Sequence, residues 1–127
     1  VGEKVKMPKP SVAKLYGKTI VKEGMPAARK LLAQLKNDSL HYNLSEYEMN
    51  LLAYQFLWDN KDDLAYEIFK TDLDLFPNSW NVYDSYAEIL LKMGRKEESI
   101  KMYKKSLQLN PQNENGKEML KKIQDSK

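Results

Sequence analysis

The chain has 127 residues, 42% of them apolar and 31% charged, with a formal net charge of +3. That suffices for one domain with a real core, and no apolar run approaches the ~20 residues a membrane-spanning helix needs. With no cysteine there is neither a disulfide framework nor a thiolate metal site, and a single histidine, His41, assembles no histidine metal centre or catalytic triad within the chain.

Residues 1–10, "VGEKVKMPKP", are rich in Lys and Pro and open on Val1 without a methionine. They read as a linker joined to something longer. Residues 11–43 read as a degenerate helical hairpin. Ser11 is a candidate N-cap, Gly24 ends the first helix, and Pro26 sits in the first turn of the second, where its missing N–H is not needed. Leu15, Tyr16 and Ile20 are expected to face Leu31, Leu32 and Leu35.

From residue 44 to 111 the sequence repeats. "LDLFPN" at 73–78 returns as "LQLNPQ" at 107–112, thirty-four residues later. The same offset pairs Met49 with Tyr83, Leu52 with Tyr86, Ala53 with Ala87, Phe56 with Leu90 and Asn60 with Gly94. It also pairs Ala65 with Ser99, Phe69 with Tyr103, Leu73 with Leu107 and Pro77 with Pro111. Met49, Leu52, Ala53 and Phe56 fall at i, i+3, i+4 and i+7, one apolar face of a helix. Ser45 and Glu48 form a capping-box signature at its start. Ala53 and Ala87 permit close approach of a partner helix, and Asn60 and Gly94 suit the left-handed conformation that ends one. A second helix turns Ala65, Ile68, Phe69 and Leu73 inward until Pro77 stops the hairpin. Residues 112–127 place Met119, Leu120 and Ile123 on one face and lysines on the other, as a terminal capping helix requires.

This pattern resembles the tetratricopeptide repeat. The family's large–small–large positions fall on Tyr83, Tyr86, Ala87, Leu90, Ser99, Tyr103, Ser106 and Pro111, and in the first copy on Met49, Leu52, Ala53, Phe56, Ala65, Phe69 and Pro77. The first copy departs at Asp72, where a small apolar residue is usual; a carboxylate there is exposed or hydrogen-bonded, and the second is expected. The fold expected is all-α: a short superhelix of antiparallel helical hairpins with a capping helix, forming one domain.

Charge is distributed unevenly. Residues 1–36 carry nine basic against two acidic side chains, residues 37–94 three against eleven, and residues 95–127 nine against five. A basic–acidic–basic order lacks the continuous basic face that phosphate binding wants, so nucleic acid is not an expected partner; with no apolar run of membrane-spanning length, neither is a membrane. "SVAK" at 11–14 matches an S-x-x-K nucleophile signature but lacks its K-T-G and S-D-N companions. Asp59, Asp62 and Asp63 lack calcium-loop spacing and instead complement a helix start. No catalytic residue, cofactor or metal site is expected.

The resemblance implies a concave groove lined by the first helix of each hairpin. Its positions fall on Tyr47, Asn50, Tyr54, Leu57 and Trp58, then on Asn81, Asp84, Glu88, Leu91 and Lys92. The first set is aromatic with one amide and the second mostly polar, a composition suited to a protein or peptide partner. In the competing reading, Trp58 and Tyr54 pack beneath the N-terminal hairpin. Family members that clamp a C-terminal carboxylate use Lys and Asn where this chain has Asn50 and Tyr54, so that activity is not expected.

The string from Phe76 to Ile123, with residues 8–36, is also similar to the helical C-terminal extension of bacterial serine hydrolases related to β-lactamases and penicillin-binding proteins. "FPNSWNVYDS" at 76–85 is its most particular element. The resemblance implies an interaction module carried by a larger periplasmic or extracellular enzyme, with the parent's catalytic domain as one partner. The alternatives are a free-standing adaptor for a peptide and a structural element that forms a homodimer.

Overall fold

The computed structural model of the chain describes residues 7–126; most of the expected linker and Lys127 lie outside them. Among the described residues there are seven α-helices and no strand. They are α1 (Val12–Glu23), α2 (Met25–Leu35), α3 (Glu46–Trp58), α4 (Asp62–Leu75), α5 (Trp80–Lys92), α6 (Lys96–Leu109) and α7 (Glu114–Asp125). The architecture is the helical-hairpin fold anticipated from the repeat. The chain divides into two compact units, the first ending at Glu48 and the second beginning at Met49.

The first unit is built on the α1–α2 hairpin. Ser11 caps α1, its Oγ accepting from Lys14 N. Gly24, at φ 92°, ends α1 by donating to Thr19 O and Ile20 O, and it also opens α2, with Pro26 following in the first turn. A side chain at that φ is strained, so the single residue between the helices is glycine. Val12, Ala13, Tyr16, Ile20, Ala28 and Leu32 are buried. Leu15, Leu31 and Leu35 are only half-buried, because the small residues Ala13, Gly17 and Ala28 take places in the buried stripes and shift the contact face. Beyond α2, residues 36–45 return to the start of α1, where Asn43 N donates to Pro10 O and Val12 N to Asn43 O, both at 2.9 Å.

The N-terminus of α3 departs from a full capping box. Ser45 Oγ accepts from Glu48 N at 3.2 Å, but the Glu48 carboxylate accepts from Ser11 Oγ at 3.1 Å and Asn43 Nδ2 at 3.4 Å. Glu48 therefore ties the loop to α1.

The second unit contains the repeat, and its backbone hydrogen bonds recur at the thirty-four-residue offset. Lys61 N donates to Phe56 O and Asn60 N to Leu57 O; Arg95 N donates to Leu90 O and Gly94 N to Leu91 O. These are the paired closures of a Schellman ending, and they require the left-handed residue found at Asn60 (φ 60°) and Gly94 (φ 80°). α4 ends at Leu75 and α6 at Leu109, each followed by a turn starting at its proline, Pro77 or Pro111.

Ala53, Ala65 and Ala87 are fully buried, as are Met49, Ile68, Phe69, Val82, Ile89 and Leu90. Each large side chain in that set stabilises the fold by roughly 1.5–3 kcal/mol through burial. Ser99 and Ser106 are buried hydroxyls with a defined role. Ser99 Oγ donates to Ala87 O and Ser106 Oγ to Trp80 O, both at 2.7 Å, pinning α6 to α5. Asp72, the counterpart of Ser106 in the first copy, is fully buried rather than exposed. Tyr66 and Tyr86 meet across α4 and α5, ring centroids 5.8 Å apart and hydroxyls at 3.3 Å, with the Arg95 guanidinium 4.8 Å from the Tyr66 ring centre.

Candidate binding groove

Nine of the ten groove positions lie on α3 and α5 of the second unit, and among them Leu57 is buried. The tenth, Tyr47, belongs to the first unit and is 73% exposed.

Tyr54 is the centre of the arrangement. Its ring stacks on Trp58 at 5.8 Å and meets the edge of Phe69 at 4.9 Å. Its phenol is directed toward Ser85 and Glu88 of α5. Burial pushes Tyr54 up to about 12, and the nearby charges of Glu88 and Asp84 add to the shift. Trp58 is 68% exposed. Its indole therefore presents most of its area to solvent while Tyr54 supports it from behind. A side chain of that size left open beside half-buried polar groups is the composition of an interface anchor.

Glu88 is exposed on the same helix and lies near the Tyr54 phenol. Partial burial raises its pKa, the Tyr54 hydrogen bond pulls it back, and Asp84 raises it further. Tyr103 of α6 lies fully buried behind the face, its pKa also raised by burial and by the charges of Asp84 and Glu88.

The remaining positions are used in other ways. Asp84 is buried, and both its oxygens are held by the chain's own C-terminal helix. Asn113 Nδ2 donates to Asp84 Oδ2 at 2.6 Å and Asn115 Nδ2 to Oδ1 at 2.9 Å. Asn113 is also the N-cap of α7, accepting from Gly116 N at 3.2 Å, and it donates a second bond to Ser106 Oγ at 3.0 Å. An α carbon without a side chain is needed at Gly116, since an added Cβ would lie 2.8 Å from Asn113 Nδ2. Leu91 packs with Met119 and Leu120 of α7 around Ala87, Tyr103 and Ile123. Thus the C-terminal segment covers Asp84 and packs near Leu91, while Glu88 between them stays exposed.

Lys92 reaches to α4 and pairs with Asp62 at 3.1 Å. Asn81 is exposed on the first turn of α5. Asn50 turns its Oδ1 into the protein, out of solvent contact and without a hydrogen-bond partner. Among these positions of the second unit, Trp58, Asn81, Glu88 and Lys92 stay exposed, and Tyr54 is half-buried.

Sequence reasoning read Tyr103 as a core position of the repeat and missed Ser85, Asn113 and Asn115. The Asn113 cap had a local signal, an asparagine directly before an amphipathic helix. The other two had none. Elsewhere, His41 Nδ1 lies 3.0 Å from Asp38 Oδ1 in an exposed loop. Among the described residues no group of acidic or histidine side chains is placed to hold a metal ion.

Comparison with known proteins agrees with the fold. The family model described as tetratricopeptide repeat matches residues 81–113, the second of the two copies. Three solved structures share the architecture. The first TPR of Spaghetti (RPAP3), bound to the HSP90 peptide SRMEEVD, aligns with 91% of this chain and 90% of its own at a TM-score of 0.61 and 20% identity. The first TPR domain of human RPAP3 gives 0.61 and 20% over 90% of this chain and 88% of that one. Naa15/Naa10 bound to HypK-THB gives 0.60 and 20% over 90% of this chain, which spans 17% of that longer one. No curated protein matches.

Proposed function

We propose that this chain is a non-catalytic protein-interaction module that seats a segment of a partner protein on the α3/α5 face of its second unit. The observation that carries this reading is Trp58, 68% exposed and stacked on a half-buried Tyr54. Exposing an indole gives no folding benefit, whereas a rigid ring pair supported from below loses little entropy when a partner covers it. Structures of the same fold are consistent with this use: one holds an HSP90 peptide and another is bound to HypK-THB.

The site is tested by placing a photo-crosslinking amino acid at Asn81, on the open face, or at Lys104, on the outer side of α6. The expected result is an adduct in source cells from position 81 and none from position 104. Equal labelling from both sites overturns the assignment. An adduct of twice the chain's mass identifies a homodimer instead.

The hydrolase-like element at 76–85 supports a finer proposal, that the module is the C-terminal appendage of a larger serine hydrolase and docks that enzyme's catalytic domain. An antibody raised to residues 44–111 tests it. A native species several times heavier than 127 residues supports the appendage, and one of that size leaves a free-standing adaptor.

A further inference from the structure

The groove positions carry three charged residues, Asp84, Glu88 and Lys92. Lys92 is turned away to Asp62 at 3.1 Å, and Asp84 is sealed under Asn113 and Asn115, which supply dipoles but no positive charge. Of the charged groove positions, Lys92 is exposed but paired with Asp62, and Glu88 is exposed beside the neutral phenol of Tyr54. Asp84 lies close enough to make the site more negative still. The second unit thus presents an exposed carboxylate beside two stacked aromatic rings, one of them largely exposed.

We infer that the docked segment carries an arginine or lysine side chain, whose stem lies along the Tyr54–Trp58 rings and whose cation meets Glu88. This rests on the reading of the α3/α5 face as the docking face. Three properties of the patch select that occupant. A cation is attracted by the indole and phenol faces through their quadrupoles. A long aliphatic stem covers apolar ring surface while its charged head stays at the wet rim. The exposed carboxylate of Glu88 attracts an arriving cation, while an acidic segment meets like charge and is rejected. The patch therefore has the opposite preference to that of an acidic peptide such as the SRMEEVD bound by the similar RPAP3 domain.

The test is selection of random twelve-residue peptides displayed on phage against the full chain, followed by fluorescence polarisation of the synthesised winners at low and high salt. The expected winners carry Arg or Lys. Glu88→Gln should weaken them about fivefold at low salt and less at high salt, as a partly exposed charge pair does. Glu88→Lys should select acidic winners instead, and Trp58→Ala should weaken every winner. Glu88 and Trp58 are both exposed, so circular dichroism of the variants is expected to match the parent.

Winners that depend on Trp58 but are neutral or acidic, and indifferent to Glu88→Gln, overturn the cation while leaving the docking face standing. Winners indifferent to both substitutions, or no enrichment, overturn the face and the cation together. A chain that sediments as a dimer, and becomes monomeric with Glu88→Gln, assigns the cation to a second copy and overturns the partner.

Discussion

Removal of the Asn113 side chain tests whether a handful of polar contacts holds the C-terminal helix. Asn113 is 5% exposed and makes three bonds: it caps Gly116 N, donates to Asp84 Oδ2 at 2.6 Å and donates to Ser106 Oγ. Loss of an asparagine N-cap costs about 1 kcal/mol. Loss of a hydrogen bond to a buried carboxylate costs about 1.5–3 kcal/mol, and Asp84 would retain the bond from Asn115. These terms share atoms and do not add fully, so Asn113→Ala should cost about 3 kcal/mol. For a chain of this size that lowers Tm by about 10–15 °C. The apolar anchors of α7 are few: Ile123 is buried while Met119 and Leu120 are half-covered. Its amides should therefore lose exchange protection before those of α5 and α6. Urea melts of Asn113→Ala, Asp84→Ala and the double variant give the coupling, expected at about 1.5 kcal/mol. A loss under about 1 kcal/mol with no coupling and unchanged α7 protection would refute the argument that this network fastens the helix.

The two repeat endings make a matched pair. Gly94→Ala should destabilise by about 1 kcal/mol through left-handed strain alone, since nothing lies near the added Cβ, while Asn60→Gly should be neutral or stabilising; chemical melts compare them. Ala87→Leu should cost about 3 kcal/mol or abolish folding, because the site is fully buried and its carbonyl receives Ser99. Trp58→Ala should leave Tm within a few degrees of the parent while removing partner binding, since the indole is mostly in solvent. The pH dependence is alkaline. The Tyr54 pKa of about 12 lies above the ordinary value near 10, so its protonated form is the one the fold favours. That contribution is intact below pH 10 and is lost as pH rises from 10 through about 12. Thermal melts across this window should fall, and Tyr54→Phe should flatten part of the decline.

The repeat was legible because its determinants are local. The 3.6-residue apolar spacing, the left-handed Asn60 and Gly94, the stopping prolines Pro77 and Pro111 and the caps at Ser11 and Ser45 act within a few residues, and the structure reproduces them. Alanines at 53 and 87 announced close helix packing for the same reason: a small side chain in a repeated apolar stripe has one use.

The state of each groove residue was not local. Asp84, Lys92 and Glu88 share one helix and similar sequence surroundings. Yet Asp84 is sealed by residues 29 and 31 positions away, Lys92 is paired with a residue 30 positions away, and Glu88 is left facing the rim. Trp58 and Tyr54, neighbours on α3, separate in the same way, one exposed and the other half-buried against Phe69, Ser85 and Glu88. Helical periodicity assigns a side chain to a face, and that much the sequence by itself determined. Whether the face meets water, another helix or a carboxylate depends on chain crossings between distant segments, and only the tertiary structure decided it.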